Sequence, residues 1–521
     1  MKNRLLITLL VLGTLASAAP ASDSLIRFSD LHLSHDAEKK AFAALNANGN
    51  DYIDLFLASY SNTAVFSSGA ARQKIGECVA HLKQKTAKMS QPKTVKYIYK
   101  YIHDRFFKVY RFNNSFADIF TKGEYNCVSG SALYAMVFGE MDIPYQIIEA
   151  PQHVFLFAYP SSHKIMIETT SARNGYKAFN DEYIKRFVKY LAESKLISDN
   201  ELAANSASEL FNKYYFAQQG IDLRALAGIQ YGNYSVYYSE AHEGASALNE
   251  ARKYYYISPT PRARYMLRNA LYEVISNNSY SSPKDLDNLS LLCRFNNSDN
   301  KETSNETLRQ EFLRLTEQQL IRNSDFQNYG RSFEVVVSAI ADTSLKKELA
   351  FIYNYEMARI ISQESADNEV ILNHLAAAYT INPRHAELRS MIRIFLFQII
   401  SNSTAAALIR EMDSYSTTFD FINTDEKFNT IRANVLLEMA YQAYTLNNIG
   451  TGDAEIGKFE KLCESNSGLR PSEHYVEKAY SVAAAAYFRR GNKTKTKELL
   501  QTGIKYAPGS FGLQNRLRQL H

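Results

Sequence analysis

Strand-forming sequence is confined to one short part of this 521-residue chain. Three segments there are rich in β-branched and aromatic residues: YQIIE (145–149), HVFLFAY (153–159) and KIMIETT (164–170). The apolar run before them, 127–141, carries small residues at regular intervals, which predicts a helix packed closely on a sheet. One helix followed by a small antiparallel sheet predicts an α+β domain, and strand signals end at about residue 178.

The chain from about residue 210 onward reads as helix after helix, separated by short polar turns. Three of these helices stop just before a proline, at Pro259, Pro383 and Pro508. Two of the three units resemble the tetratricopeptide repeat in their spacing, through Tyr238, Ala251 and Pro259 in one and Tyr487, Gly491, Leu500 and Pro508 in the other. The resemblance implies an all-α solenoid of stacked helix pairs, and an unrelated helical bundle is the alternative.

The N-terminus has the pattern of a secretory signal peptide. Lys2 and Arg4 precede an apolar stretch, 5–15, that is too short to span a bilayer, and small residues end at Ala18. We therefore expect residues 1–18 to be removed and the protein to be exported to a periplasmic or extracellular location. No later apolar run reaches about 18 residues, so membrane insertion after signal removal is not expected.

The net charge and the cysteine spacing indicate which classes of partner and cofactor to expect. The formal net charge is +5 and the basic residues are interspersed, which argues against a nucleic-acid partner. The four cysteines include no closely spaced pair, so neither a zinc site nor a dithiol redox site is predicted, and no cofactor is expected. Cys78, Cys293 and Cys463 lie in helix-like apolar patterns and are interpreted as buried free thiols, with disulfides as the alternative.

The fourth cysteine stands in a different setting. Cys127 begins the predicted helix, His153 begins a predicted strand, and Glu168 lies near the end of the next one. Backbone N–H groups and the positive end of the helix dipole favour a thiolate at a helix start. A hairpin would place His153 beside Glu168, so that the carboxylate orients the ring and the ring takes the thiol proton. These three residues are the candidate catalytic site.

The stretch NCVSGSALYAMVFGEMDIPYQIIEAPQHVFLFAY followed by IETT resembles the core of the transglutaminase-like superfamily. The resemblance covers roughly residues 95–170 and implies a papain-like α+β core. It also implies Cys127 as nucleophile, His153 as base and Glu168 as acid. The chain departs from the family pattern in having Glu168 in place of aspartate, and Asn126 and Val154 where glycine and an aromatic residue are common.

The sequence thus predicts a signal peptide (1–18), a transglutaminase-like domain (19–205) and a tetratricopeptide-like helical repeat domain (206–521). Its predicted function is that of an exported thiol enzyme, a peptidase, amidase or acyl transferase, that acts on amide bonds through a thioester. The alternative is a catalytically inactive scaffold whose helical repeats bind a protein or peptide partner.

Overall fold

The computed structural model describes residues 25–49, 51–59, 66–150, 152–179, 181–215, 220–297, 303–364, 367–400 and 404–520. The predicted signal peptide, 1–18, lies outside the described residues. The chain divides into two compact units, Met1–Asn278 and Ser279–His521, called the first and the second unit below.

The first unit combines helices with two small sheets. Its helices are α1 (Asp36–Asn46), α2 (Ile53–Ala58), α3 (Ser68–Thr86), α4 (Gln91–Phe106), α5 (Asp118–Thr121), α6 (Cys127–Glu140), α7 (Asp181–Glu193), α8 (Asp199–Ala204), α9 (Ala207–Tyr215), α10 (Leu223–Glu240), α11 (Gly244–Ile257) and α12 (Pro261–Ser276), with a 3₁₀ turn at Phe28–Asp30. Its strands are β1 (Val109–Tyr110), β2 (Glu124–Tyr125), β3 (Tyr145–Ala150), β4 (His153–Ala158), β5 (Ile165–Ile167), β6 (Tyr176–Ala178) and β7 (Gly220–Ile221).

The larger sheet has the order β6-β5-β4-β3-β7, and every neighbouring pair is antiparallel. Strands β3 and β4 form a hairpin in which Ala150 pairs with His153. Strand β5 returns alongside β4, with Leu156 opposite Ile167. The α+β class predicted from the sequence is therefore present, as a mostly helical chain with one small antiparallel sheet.

Helix α6 packs against β3, β4 and α10. Its small residues Ser129, Ala132 and Ala135 are fully buried, as expected for a helix that lies close to a sheet. Tyr134 on the same helix is also buried and donates to the carbonyl of Tyr99 on α4, at 3.0 Å. This packing holds the N-terminus of α6, where Cys127 lies, in a fixed place beside the sheet.

The first unit extends beyond residue 205, where the sequence pattern placed the start of the helical repeats. Strand β7 pairs with β3, and α10 packs against α6. Tyr231 on α10 is buried and donates to the carbonyl of Leu55, at 3.2 Å, while Gln230 donates to the carbonyl of Asn114, at 3.1 Å. Helix α10 therefore completes the core around α6, which its helical pattern by itself does not reveal.

The described part of the second unit is helical. Its helices are α13 (Pro283–Asn296), α14 (Asn305–Thr316), α15 (Phe326–Ala339), α16 (Thr343–Ile361), α17 (Asn368–Ile381), α18 (Ala386–Ile399), α19 (Ala405–Thr418), α20 (Glu426–Thr445), α21 (Ile449–Ser465), α22 (Glu473–Arg489), α23 (Lys493–Tyr506) and α24 (Phe511–Arg518), with a π-helical turn at Glu317–Arg322 and a 3₁₀ turn at Asp420–Thr424. Consecutive helices pair repeatedly, most extensively α16 with α17, α20 with α21 and α22 with α23.

Three of the helix pairs share one kind of turn. Gly491, between α22 and α23, has φ +77°, and Asn447, between α20 and α21, has φ +58°. His242, between α10 and α11 of the first unit, has φ +60°. A left-handed residue just past a helix end allows the next N–H to bond back to the last turn, as Asn492 does to the carbonyl of Tyr487, at 3.1 Å. Helical repeats are therefore present in this chain.

Candidate functional site: Cys127, His153 and Glu168

The start of α6 is fixed by Asn126. Its side-chain oxygen accepts from the N–H groups of Val128 and Ser129, both at 2.9 Å, and the Ser129 hydroxyl accepts in return from the N–H of Asn126, at 3.0 Å. This reciprocal cap satisfies backbone donors that a helix start leaves without partners. Cys127 is therefore the first residue of α6, at the helix start where the sequence pattern predicts it. Its side chain is half-buried.

His153 and Glu168 form a close pair across the sheet. The register of β4 and β5, extended by one residue, places Glu168 opposite Phe155, so that His153 lies on the diagonal from it. Long side chains can bridge such a diagonal. The distance from His153 Nε2 to Glu168 Oε2 is 2.6 Å, and the two side chains are 32% and 16% exposed.

The second oxygen of Glu168 is held by Thr170. Oε1 accepts from the backbone N–H of Thr170, at 3.0 Å, and from its hydroxyl, at 2.6 Å. Burial raises the pKa of Glu168, but the hydrogen bonds from His153 and Thr170 outweigh it, so the pKa lies below its usual value. Glu168 is therefore a carboxylate at neutral pH, with Oε2 directed at the ring.

The imidazole of His153 interacts with the Cys127 thiol as well as with Glu168. Hydrogen bonding to Cys127, followed by that to Glu168, raises the pKa of His153 to about 10 in spite of partial burial. Nε2 is bound to Glu168, so Nδ1 is the ring nitrogen that Glu168 does not use. The structure thus brings the three predicted site residues together around one imidazole.

The three remaining cysteines differ from Cys127 in environment. All are free thiols, with Cys78 and Cys293 buried and Cys463 half-buried. Burial raises the pKa to about 12 for Cys78 and Cys293 and to about 11 for Cys463. Such thiols stay protonated at neutral pH and react slowly.

Aromatic side chains around the site were not found from the sequence. Tyr110 follows α4, and burial together with the nearby charges of Cys127 and Glu168 raises its pKa. Tyr237 comes from α10, and its hydroxyl donates to the carbonyl of Phe112. Burial is the main cause that raises the pKa of Tyr237, with the Cys127 charge next. No sequence spacing links Tyr237 to Cys127, because it reaches the site through the packing of α10 on α6.

The described residues contain neither a metal-binding cluster nor a membrane-spanning helix. Within the described ranges, no three His, Cys, Asp or Glu side chains come together in a group that could hold a metal ion. Among the helices of the described residues, none combines the length and the apolar character needed to cross a bilayer.

Comparison with known proteins gives little further information. No family model and no curated protein matches the chain. Among solved structures, it matches a chain of "Structure of Naa15/Naa10 bound to HypK-THB", with 13% sequence identity and a TM-score of 0.18. The match covers 65% of this chain and 64% of that one, so this chain spans less than two thirds of its length. A TM-score this low transfers neither a detailed fold nor a function.

Proposed function

We propose that this protein is a thiol-dependent enzyme that acts on amide bonds through a thioester, with Cys127 as nucleophile. The observation that carries the proposal is the shared imidazole of His153, bound to Glu168 at 2.6 Å and raised in pKa to about 10 by Cys127 and Glu168 together. A cation beside a thiol at a helix start favours the reactive thiolate. The resemblance of residues 95–170 to the transglutaminase-like superfamily supports the same assignment.

The proposed reaction has two halves. The Cys127 sulfur attacks the amide carbonyl carbon, and the C–N bond breaks while protonated His153 gives its proton to the departing amine. The acyl group is then held on the sulfur as a thioester. Water or a second amine attacks this thioester, His153 takes the proton of the attacking group, and the acyl–sulfur bond breaks. Glu168 keeps the ring oriented and stabilises its positive charge in both halves.

The oxygen that becomes negative during the attack needs hydrogen-bond donors. The Asn126 side chain accepts from Val128 and Ser129, so the N–H of Cys127 is the first backbone donor of α6 that the cap does not use. We assign this N–H to the oxyanion. The Glu168 side chain is one methylene longer than the aspartate of the family pattern. It lies 2.6 Å from the His153 ring, which supports its proposed role as the acid.

Alkylation of Cys127 by iodoacetamide tests the proposal directly. We expect Cys127 at pH 6 to react at least about tenfold faster than a free thiol such as N-acetylcysteine, because imidazolium favours the thiolate. Peptide mass mapping measures the rate at each cysteine. Cys78, Cys293 and Cys463 are internal controls that should remain unmodified, since burial raises their pKa. If Cys127 reacts no faster than the free thiol at pH 6, the proposal of a thiol-dependent enzyme is wrong.

A second proposal concerns the helical repeats, which we infer bind a protein or peptide partner. A cavity of about 270 Å³ lies beside α22 and α23, lined in part by Ala484, Leu500 and the half-exposed ring of Phe488. Its lining also includes the polar residues Thr496, Arg516 and Gln519. An open cavity with both apolar and polar lining suits a side chain from a partner.

Replacing the Phe488 ring tests this second proposal. We expect Phe488→Ser to lose partners that wild type captures from cell-envelope extract, by about tenfold in recovered amount, because interface aromatics contribute strongly to binding. Cys127→Ala is the matched control and should retain them, and it should also trap substrates that wild type releases. An unchanged partner set for Phe488→Ser would contradict partner binding at this cavity.

A further inference from the structure

The segment 109–112 exposes large apolar side chains beside the site. Val109 and Tyr110 are each 45% exposed, and Phe112 is 62% exposed. Scattered single apolar side chains are normal on a surface, but several of them close together are typical of a recognition site. The run lies between α4 and the short helix α5, so its exposure is not that of a chain end.

The strand pairing brings this segment alongside Cys127. Strand β1 pairs in parallel with β2, with Tyr110 opposite Tyr125. Beyond the strand, the N–H of Arg111 donates to the carbonyl of Tyr125, at 2.8 Å, two residues before Cys127. The Asn126 side chain donates to the carbonyl of Phe112, at 3.1 Å, so Phe112 is hydrogen-bonded to the residue that directly precedes Cys127.

The rings of the segment are supported by aromatic neighbours. The Tyr110 ring packs edge-on against Tyr125, with centroids 5.9 Å apart, and the Phe112 ring packs edge-on against Tyr237, at 5.4 Å. Arg111, the cation within the segment, is paired with Glu124 at 3.5 Å. The surface therefore offers supported aromatic rings and a neutralised charge, a combination that favours an apolar or aromatic side chain over a charged one.

Within the described residues, one edge of β1 is left without a strand partner. Val109 and Arg111 donate toward β2, to the carbonyls of Gly123 at 3.1 Å and Tyr125 at 2.8 Å. Successive residues of a strand direct their N–H and C=O groups to opposite sides, so those of Tyr110 face away from β2. Among the described residues, β2 is the strand that pairs with β1. An extended peptide can add to such an edge through main-chain hydrogen bonds.

We propose that residues 109–112 form the substrate-binding site of this enzyme, for an extended peptide with a large apolar or aromatic side chain within two residues of the acyl carbon. The peptide pairs with the outer edge of β1, and its apolar side chain packs on Tyr110 and Phe112. This inference rests on the proposed function, because the acyl carbon must lie at Cys127.

Peptidyl acyloxymethyl ketones are suitable probes, since the Cys127 sulfur bonds to the methylene carbon as the carboxylate leaves with the bonding electrons. Three probes differ in the last two residues before the ketone: Phe-Ser, Ser-Phe and Ser-Ser. We expect at least one phenylalanine probe to label Cys127 about tenfold or more faster than Ser-Ser, a usual discrimination for an apolar pocket. Mass mapping of the full-length protein measures each rate, divided by the iodoacetamide rate of the same protein.

The double variant Tyr110→Ser and Phe112→Ser should reduce this preference at least about fivefold. Tyr190→Ser, which removes an equally exposed ring from α7, is the matched control and should keep it. Both side chains are exposed, so the double variant should keep its fold, and circular dichroism verifies this.

The outcomes separate the two proposals. Equal labelling by all three probes, with fast iodoacetamide reaction at pH 6, overturns the binding site and leaves the thiol enzyme standing. Slow iodoacetamide reaction overturns both. If the double variant instead turns a dimer into a monomer in sedimentation, with probe preference unchanged, the segment is an interface between copies and the substrate site is overturned.

Discussion

The variant His153→Asn is expected to lower the alkylation rate of Cys127 at pH 6 by roughly 10-fold to 100-fold. Asparagine carries no positive charge, so Cys127 should return to the behaviour of an ordinary thiol, of which well under a hundredth is thiolate at that pH. A stabilised thiolate is also a weaker nucleophile, which reduces the rate advantage of the wild type. The expected loss is therefore smaller than the difference in thiolate fraction alone. The measurement is the iodoacetamide rate at Cys127, followed by peptide mass mapping.

The pH dependence of this effect has a definite sign. The pKa of His153 is raised to about 10, so the ring keeps its charge from acidic pH through neutrality and loses it as the pH rises through about 10. If this charge holds Cys127 as a thiolate, as the proposed function requires, the wild-type rate should vary little between pH 6 and 9. In His153→Asn the rate should climb about tenfold per pH unit toward the usual thiol pKa of about 8.5, so the two profiles converge at alkaline pH.

Two further variants test the cause of this difference. Glu168→Gln removes the carboxylate that helps to raise the His153 pKa, so the ring should lose its charge at a lower pH than in wild type and the plateau should end earlier. His163→Asn changes an exposed histidine in the turn after β4 and should leave the wild-type profile unchanged. Coincident profiles for wild type and His153→Asn would show that the ring does not activate the thiol.

The local elements of the site were predictable because each has a local cause. The apolar run after Asn126 predicts helix α6, and runs of β-branched and aromatic residues predict β3, β4 and β5. Glu168 lies just past the end of β5 rather than within it, yet the hairpin geometry is enough to bring it to His153. The same block therefore predicts both the order of the elements and the proximity of the three side chains.

Contributions from distant parts of the chain were not predictable in this way. Strand β7 is two residues long, too short for a strand pattern, and it joins the sheet by pairing with β3. Tyr237 reaches the site because α10 packs on α6. Helical periodicity predicts the helix but not the helix that it packs against. Gly491 indicates its turn from the sequence, whereas His242 and Asn447 adopt the same left-handed backbone without a glycine to mark it.

The loop that carries Glu168 has little room for change, and Gly175→Ala is expected to destabilise the first unit by about 2–3 kcal/mol, the upper range for overpacking. A Cβ at residue 175 would lie 2.7 Å from the carbonyl oxygen of Ser171 and closer still to the Glu168 carbonyl oxygen and the Tyr99 hydroxyl. Real Cβ atoms essentially never come that close to a neighbour, and two of these neighbours are backbone atoms that cannot rotate away.

The same glycine anchors both ends of the loop. Its N–H donates to the carbonyl of Ser171, at 2.8 Å, and its carbonyl accepts from the N–H of Glu168, also at 2.8 Å. Relief of the overlap must lengthen or break these bonds, and that moves the Glu168 carboxylate away from its 2.6 Å contact with His153. The variant should therefore lose Cys127 reactivity at pH 6 along with stability.

Urea unfolding followed by circular dichroism measures the loss, since the chain contains no Trp to report by fluorescence. Gly76→Ala is the matched control: it lies within α3, a Cβ there meets nothing within 4 Å, and alanine in a helix should raise stability by up to about 1 kcal/mol. A Gly175→Ala protein as stable as wild type, with Cys127 still reactive at pH 6, would show that the loop shifts to admit the methyl group and that its tight geometry is not what positions Glu168.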